Sequence, residues 1–271
     1  MLFKPQDKDI SRHIDYYWIV DDASVFLNNN TYLYAFPGIT PDMIIVLDGY
    51  YEFEYQGKLV QQNKSLLFSF IHEKVVLDFS ELRSFILIKF KSRALGSLQP
   101  FVHNSAKEIM YNPFGFSALA FGGTISQLSR WLIGLSKDEK VRFLDNWFLS
   151  YYKKEREGFV IEIAENISAD YNLKEIMAAT KYSYSTIERY FKRETGLTPK
   201  KYQCLRRFKA VVTDIFATKN DDWMHYVSTY NYYDQAHFIK EVKHYTRFTP
   251  SQLLTIPNFV SYRPNCDEIL Q

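Results

Sequence analysis

Apolar residues recur with two different periods along the 271 residues of the chain. Between residues 14 and 90 they form short β-branched and aromatic runs, separated by turn-forming pairs such as Pro37-Gly38 and Asp48-Gly49, which is typical of antiparallel strands. The runs are IDYYWIV, TYLYAFPG, DMIIVLDGYYEFEYQGKLV, SLLFSF, KVVLDF and SFILIKF. They predict a small antiparallel β barrel or sandwich, and we favour a cupin-like barrel.

Residues 97–158 follow a helical period instead and carry wide apolar faces. The apolar positions are Leu128, Trp131, Leu132 and Leu135, followed by Val141, Phe143, Leu144, Trp147, Phe148 and Tyr151. Such faces must be covered, either by the β-rich part of the chain or by a second copy of it. The sequence does not decide between the two.

The stretch from Leu173 to Pro199, called the first unit below, reads as two short helices joined by a tight turn. Its apolar residues are Leu173, Ile176 and Met177 before a break at Lys181 to Ser183, then Ile187, Tyr190 and Phe191. Ser185 with Glu188 fits a capping box for the second helix, with Ser183 as an alternative cap. Gly196 suits the end of that helix.

The second helix of this unit has a basic face opposite its apolar one. Arg189, Lys192 and Arg193 are three and four residues apart, so they share one exposed side. A narrow helix with one apolar and one basic face fits the major groove of DNA.

Residues Trp223 to Pro250, called the second unit, form a weak repeat of the first. Ile187, Arg189, Phe191 and Pro199 match Phe238, Lys240, Val242 and Pro250 at an offset of 51 residues. Leu173 and Ile176 match Trp223 and Tyr226 at an offset of 50. The second turn is therefore predicted to be one residue longer than the first.

A long helix is predicted between the two units. Its apolar positions lie on one side: Tyr202, Leu205, Phe208, Val212 and Ile215 with Phe216. Such a helix would fix the distance between the units. Cys204 lies among these positions, so burial is expected rather than reactivity.

Charge is distributed unevenly, although the formal net charge is only +2. Residues 1–159 hold 18 basic and 18 acidic residues, whereas residues 181–209 hold nine basic against two acidic, a balance of +7. Residues 210–256 hold four basic against five acidic, a balance of −1. The positive charge is concentrated at the first unit and the start of the linker, where it would attract an anionic polymer.

Other sequence features exclude several classes of protein. Two cysteines, Cys204 and Cys266, cannot make a disulfide framework. No apolar run approaches the length of a membrane span, and the start MLFKPQDKD lacks the apolar core of a signal peptide. We expect a cytoplasmic protein that does not bind a membrane.

Ligand, metal and enzyme sites have little support in the β-rich part. Its aromatic residues could line a pocket, but alternating aromatics are also what a strand core requires. They are Tyr16, Tyr17, Trp18, Tyr34, Phe36, Tyr50, Tyr51, Phe53 and Tyr55. His13, His72 and His103 are far apart, so no metal or other cofactor is expected. Because no phosphate loop, Gly-x-Ser-x-Gly motif or paired carboxylate frame is present, catalysis is not expected.

The last hundred residues resemble the DNA-binding domain of the AraC family of bacterial transcription regulators. The similarity lies in Leu173 and Ile176, the run YSYSTIERYFKRETGLTPKKY, the connecting helix with Arg206, and the run YNYYDQAHFIKEVKHYTRFTP. The β-rich part is more weakly similar, through TPDMIIVLDG and FILIKFKSRALGSL, to a domain of unassigned function in some members.

The resemblance implies an α+β protein in which two recognition helices enter successive major grooves of double-stranded DNA. By position, Tyr184, Ser185 and Arg189 of the first helix and Gln235, Ala236 and Lys240 of the second would face bases. Arg189 would form two hydrogen bonds with guanine O6 and N7, and Gln235 would pair with adenine N6 and N7. Lys192, Arg193, Lys200, Lys201 and Lys243 would contact phosphates.

The chain also departs from the family pattern. Met177 and Val227 replace a small alanine between the helices. Lys181 and Asn231 replace turn glycines, and Arg247 replaces a glycine of the second unit. Asparagine tolerates a left-handed backbone better than lysine does.

We therefore expect residues 1–158 to form a sensing or dimerising domain, 159–256 a DNA-binding domain and 257–271 a tail. The main hypothesis is a sequence-specific transcription regulator in which the first unit supplies most of the affinity. The alternative is an effector-binding or interaction protein with partly decayed DNA-binding units. A small-molecule effector, RNA polymerase and a second copy of the chain are further candidate partners.

Overall fold

The computed structural model describes residues 1–24, 31–40, 42–55, 58–63, 66–68, 75–91, 94, 125, 127–152, 173–195 and 197–256. Its strands are β1 Leu2–Phe3, β2 Ile14–Val20, β3 Tyr32–Ala35, β4 Asp42–Gly49, β5 Tyr51–Tyr55, β6 Lys58–Gln62, β7 Leu66–Phe68, β8 Val75–Asp78 and β9 Leu82–Phe90, with a 3-10 turn at Ile10–Arg12. Its helices are α1 Leu128–Leu132, α2 Lys137–Leu149, α3 Leu173–Thr180, α4 Tyr184–Thr195, α5 Pro199–Thr218, α6 Trp223–Thr229, α7 Gln235–Thr246 and α8 Pro250–Leu253. The predicted α+β class, with strands before helices, is confirmed.

The strands form two antiparallel sheets. One has the order β1-β2-β9-β4-β7 and the other β3-β8-β5-β6. Within the described residues, no strand of one sheet pairs with a strand of the other, so the expected closed cupin-like barrel is not confirmed. The predicted turn at Asp48-Gly49 is where the chain passes from the first sheet to the second.

Gly49 allows this passage because of its backbone. Its φ is +88°, and a Cβ at this position would meet the carbonyl oxygen of Glu81. The neighbouring Tyr50 N donates to that same oxygen at 3.1 Å. A residue with a side chain would therefore be strained here and would push the two segments apart.

Alternation along the strands divides the apolar residues between two cores. On β4, Ile44 and Val46 belong to the core between the sheets, while Met43 and Ile45 belong to the core against the helices. The aromatics considered as pocket lining are mostly packed in these cores. Tyr16, Tyr17, Trp18, Phe36, Tyr51 and Phe53 are buried, and Tyr34 and Tyr50 are half-buried.

An ion pair lies at one end of the core between the sheets. Asp42 and Lys89 are cross-strand partners on β4 and β9, and Lys89 Nζ lies 2.6 Å from Asp42 Oδ1 and 2.8 Å from Oδ2. Both side chains are buried. A buried pair of this kind contributes little net stability, but losing either partner leaves an uncompensated charge.

Helix α2 packs on the first sheet, so the β-rich part of the chain covers its apolar face. Phe148 meets Phe90 of β9 edge to face, with 5.6 Å between ring centroids. Asp145 accepts hydrogen bonds from Gln6 N at 2.7 Å, Asp7 N at 2.8 Å and Tyr17 Oη at 2.6 Å. The helix begins with a complete capping box of Ser136 and Glu139.

One buried apolar cluster extends through the β-rich and helical halves, and two polar or aromatic contacts between them are described. Tyr34, at β3, meets Phe248, just after α7, edge to face with 5.7 Å between centroids. Lys209 Nζ of α5 lies 3.4 Å from Thr40 Oγ1. Among the described helices, none combines the length and the apolar character that a membrane crossing requires.

Candidate nucleic-acid interface

The first unit is a helix-turn-helix built from α3 and α4. Lys181 ends α3 in the left-handed conformation, with φ 58°, and its N–H bonds to Met177 O at 2.8 Å. The Ser183 hydroxyl accepts from Thr186 N at 3.3 Å, while its carbonyl accepts from Ile187 N at 3.0 Å. Ser183 is therefore the cap of α4, and the preferred assignment of Ser185 is wrong: the helix already begins at Tyr184, which places Ser185 inside it.

The second unit, built from α6 and α7, repeats this geometry with the predicted extra residue. Asn231 is left-handed with φ 52°, 50 residues after Lys181. Asp234 caps α7 by accepting from His237 N at 2.7 Å, 51 residues after Ser183. The added residue therefore lies in the turn between Asn231 and Asp234. Gly196, the predicted end of α4, lies outside the described residues, but Arg247 ends α7 with φ 62°.

Matched positions of the two units have the same burial. Ile176 and Tyr226, Ile187 and Phe238, and Phe191 and Val242 are all fully buried. Each unit thus holds its second helix on a small apolar core. These apolar positions are therefore core residues.

The linker helix α5 begins with the same Thr-Pro cap as α8, the helix at the end of the second unit. Thr198 accepts from Lys201 N at 3.2 Å and precedes Pro199, just as Thr249 accepts from Gln252 N at 3.2 Å and precedes Pro250. The linker residues predicted to be apolar and inward are buried, and Cys204 is half-buried. Twenty residues give a helix about 30 Å long.

The six residues expected to face bases are all exposed on the two recognition helices. Tyr184 and Gln235 are the first residues of α4 and α7. Ser185 Oγ lies 3.0 Å from Ser183 Oγ, and the Arg189 guanidinium lies 5.9 Å from the ring centroid of Tyr190. Ala236 and Lys240 complete the set on α7.

The residues expected to meet phosphates differ in their surroundings. Lys200 and Lys243 are exposed, and Lys192 is exposed while pairing with Glu188 at 2.8 Å within α4. The Arg193 side chain lies outside the described residues. Lys201 is half-buried, and its ammonium donates to Tyr245 Oη at 2.9 Å, which occupies one of its three donors.

Arg207 belongs to the basic cluster in the sequence but is engaged inside the protein. Its Nη2 lies 2.6 Å from Glu241 Oε2 and its Nε 3.2 Å from Oε1, a bidentate pair between α5 and α7. Burial alone would lower the pKa of this guanidinium, yet the pair with Glu241 raises it above its ordinary value. The +7 count therefore overstates the charge available to a partner.

Tyr233 is a further surface residue that the sequence patterns did not single out. It precedes the second recognition helix and is 91% exposed. It lies inside the lengthened turn. The one-residue change in offset between the units was therefore the sequence feature that could have pointed to it. A large ring so exposed beside a recognition helix can contact a groove wall or a thymine methyl group.

Residues considered for metal binding do not come together in the described part of the chain. His13 is buried, with its ring centroid 5.1 Å from that of Tyr152, while His72 and His103 lie outside the described residues. Among the described residues, no group of three His, Cys, Asp or Glu side chains is placed to hold a metal ion.

No protein-family model matches the chain, and no curated protein sequence matches it. Solved structures of ToxT from Vibrio cholerae have a similar arrangement at low sequence identity. ToxT of strain SCE256 with a bound unsaturated fatty acid has a TM-score of 0.44 and 11% identity, covering 88% of this chain and 93% of that one. ToxT of strain O395 bound to (E)-4-(8-methylnaphthalen-1-yl)but-3-enoic acid has 0.43 and 10%, covering 83% and 98%.

The AraC-like transcriptional activator CuxR has a TM-score of 0.22 and 7% identity, covering 89% of this chain and 78% of that one. At these values the similarity carries no functional argument, so the function must be argued from the residues of this chain.

Proposed function

We propose that the protein is a sequence-specific DNA-binding transcription regulator of the AraC type. The observation that carries the proposal is the pair of helix-turn-helix units with caps at equivalent positions, the same turn conformation and the same buried positions. In each unit, the recognition helix presents exposed polar residues on the side away from its core. This is the arrangement through which a helix reads base edges in the major groove.

The linker gives the pair a reach that suits DNA. A helix about 30 Å long is close to the roughly 34 Å between successive major grooves on one face of the duplex. We infer that one chain reads two blocks about one helical turn apart. Residues 159–256 would form this reader, and residues 1–158 the sensing or dimerising domain.

The two units would contribute unequally to DNA binding. Residues 181–209 carry the basic excess, and Arg189, Lys192 and Lys200 are exposed there. Residues 210–256, which include the second unit, have a balance of only −1, and an aspartate, Asp234, precedes the recognition helix of that unit. We therefore assign most of the affinity to the first unit and added selectivity to the second.

Site selection from a random DNA pool, followed by binding of Arg189→Ala and Lys240→Ala proteins, tests the proposal. Removing one base-reading side chain should cost about 1–3 kcal/mol of binding free energy and relax the preference in one block only. Affinity should also fall steeply with salt, because phosphate contacts release counterions. An unchanged sequence preference in both variants would show that these two side chains do not read bases.

The lack of a basic excess over residues 210–256 favours a second candidate, an effector-binding or interaction protein whose DNA-binding units have partly decayed. Such a protein would enrich no site from the random pool. A small-molecule effector, RNA polymerase and a homodimeric partner also remain proposals.

A further inference from the structure

We infer that Arg207 and Glu241 are positioning residues that fix the spacing at which the two units read DNA. The inference rests on the proposed function, since spacing has meaning only if both units bind DNA. The two side chains connect the linker helix directly to the second recognition helix. They would act through the orientation of that helix and need not touch the DNA.

The contact has the features of a rigid joint. The guanidinium of Arg207 is held by both carboxylate oxygens of Glu241, and it also lies 4.3 Å above the ring centroid of Tyr232. Tyr232 Oη donates to Glu241 Oε1 at 2.7 Å, so the carboxylate is fixed from two directions. The Arg207 and Glu241 side chains are only 19% and 11% exposed, which limits screening by water.

A second row of contacts lies one turn further along α7. Tyr245, four residues after Glu241, accepts a hydrogen bond from the Lys201 ammonium. Its ring centroid lies 4.7 Å from that of Phe208. Glu241 and Tyr245 thus form the stripe of α7 that packs on α5. With about 100° between successive residues, Ala236 and Lys243 lie roughly opposite this stripe, on the side assigned to DNA.

This arrangement determines the orientation of the second unit relative to α5 as well as its distance from the first unit. A bidentate arginine–carboxylate pair is planar, and stacking on Tyr232 fixes the orientation of that plane, whereas apolar packing alone lets helices slide and rotate. Moving one DNA block by one base pair shifts it by about 3.4 Å and rotates it by about a tenth of a turn. A second unit held at a fixed angle to α5 cannot follow such a shift without breaking the contact.

The test compares the full-length protein with the double variant Arg207→Met/Glu241→Gln. Removing both charges avoids leaving one of them buried and unpaired, and glutamine still accepts from Tyr232. Affinities are measured at one salt concentration for the selected site and for sites with one base pair added or removed between the blocks. Denaturant unfolding of each protein confirms that it is folded.

We expect the unaltered protein to prefer its selected spacing by about tenfold or more, and the double variant to prefer it by less than about threefold. Arg207→Lys, which keeps the charge but not the planar fork, should lie between them. The matched control is Lys4→Gln/Asp15→Asn, which removes an ion pair of the β-rich half, between an exposed lysine and a half-buried aspartate, at the same net charge. It should keep the full preference.

A double variant that folds and discriminates among spacings like the unaltered protein would overturn the inference while leaving the proposed function intact. A selected site with a single block would also overturn it, because only one unit would then read DNA. If the unaltered protein enriches no site at all, the proposed function fails and the inference fails with it.

Discussion

Lys181 occupies a backbone conformation that a lysine rarely adopts. Its φ of 58° is left-handed, where the Cβ of an L-residue crowds the following carbonyl, at a cost of about 1–2 kcal/mol. Glycine avoids this cost, although it also gains freedom in the unfolded chain. We expect Lys181→Gly to raise the free energy of unfolding by about 0.5–1 kcal/mol, measured by urea denaturation.

Asn231 provides the matched control, because it occupies the equivalent turn with φ 52°. Asparagine already tolerates this region, so Asn231→Gly should change stability by less than about half as much. An equal gain at both positions would show that backbone strain at Lys181 is not the cause. The departure from glycine noted in the sequence therefore has different consequences in the two units.

At the scale of the helix, the second recognition element begins with a charge that opposes its proposed role. Asp234 is exposed and caps α7, where its carboxylate also interacts well with the positive end of the helix. Near DNA, the same carboxylate repels phosphates. Asp234→Asn keeps a good cap and should lower stability by no more than about 0.3–1 kcal/mol.

The same substitution should tighten binding to all DNA sequences by about two- to fivefold at low salt, with a smaller gain as salt rises. Fluorescence anisotropy on selected and scrambled sites measures both effects. A gain confined to the selected site would instead mean that Asp234 reads a base.

Elements with strong local signals could be predicted from the sequence. The strand runs, the two units and the linker helix follow from hydrophobic period, and the longer second turn follows from the changed offset. The cap of α4 was wrongly predicted at Ser185 rather than Ser183, because both serines precede acceptable helix starts and only the length of the turn decides. Intramolecular partners such as Glu241 for Arg207 were equally hidden, since they depend on how helices distant in sequence pack.

At the scale of the whole molecule, an aromatic contact joins the β-rich half to the end of the second unit. Tyr34 meets Phe248 at the end of the second unit, and an aromatic pair of this kind contributes about 0.5–1.5 kcal/mol. We expect Tyr34→Ala to increase hydrogen exchange in residues 247–256 while leaving α4 nearly unchanged. Tyr32→Ala, on the same strand but half exposed, is the control.

Equal changes in both units would show that the two halves communicate by another route. This contact, like the separation of the strands into two sheets, was beyond sequence reasoning. Period-two alternation shows that strands have a buried face, but a closed barrel and a two-layer sandwich bury the same face. The contacts between the halves also include residues outside the regular elements, such as Thr40 and Phe248, which carry no periodic signal.

The bidentate pair between α5 and α7 has a consequence for how such a protein would find its sites in a genome. A two-block sequence accepted at one spacing occurs by chance with a certain frequency. Accepting one base pair more and one fewer makes three sequences acceptable and raises the number of accidental matches roughly threefold. A single ion pair remote from DNA would thus reduce the number of decoy sites among which the protein is distributed.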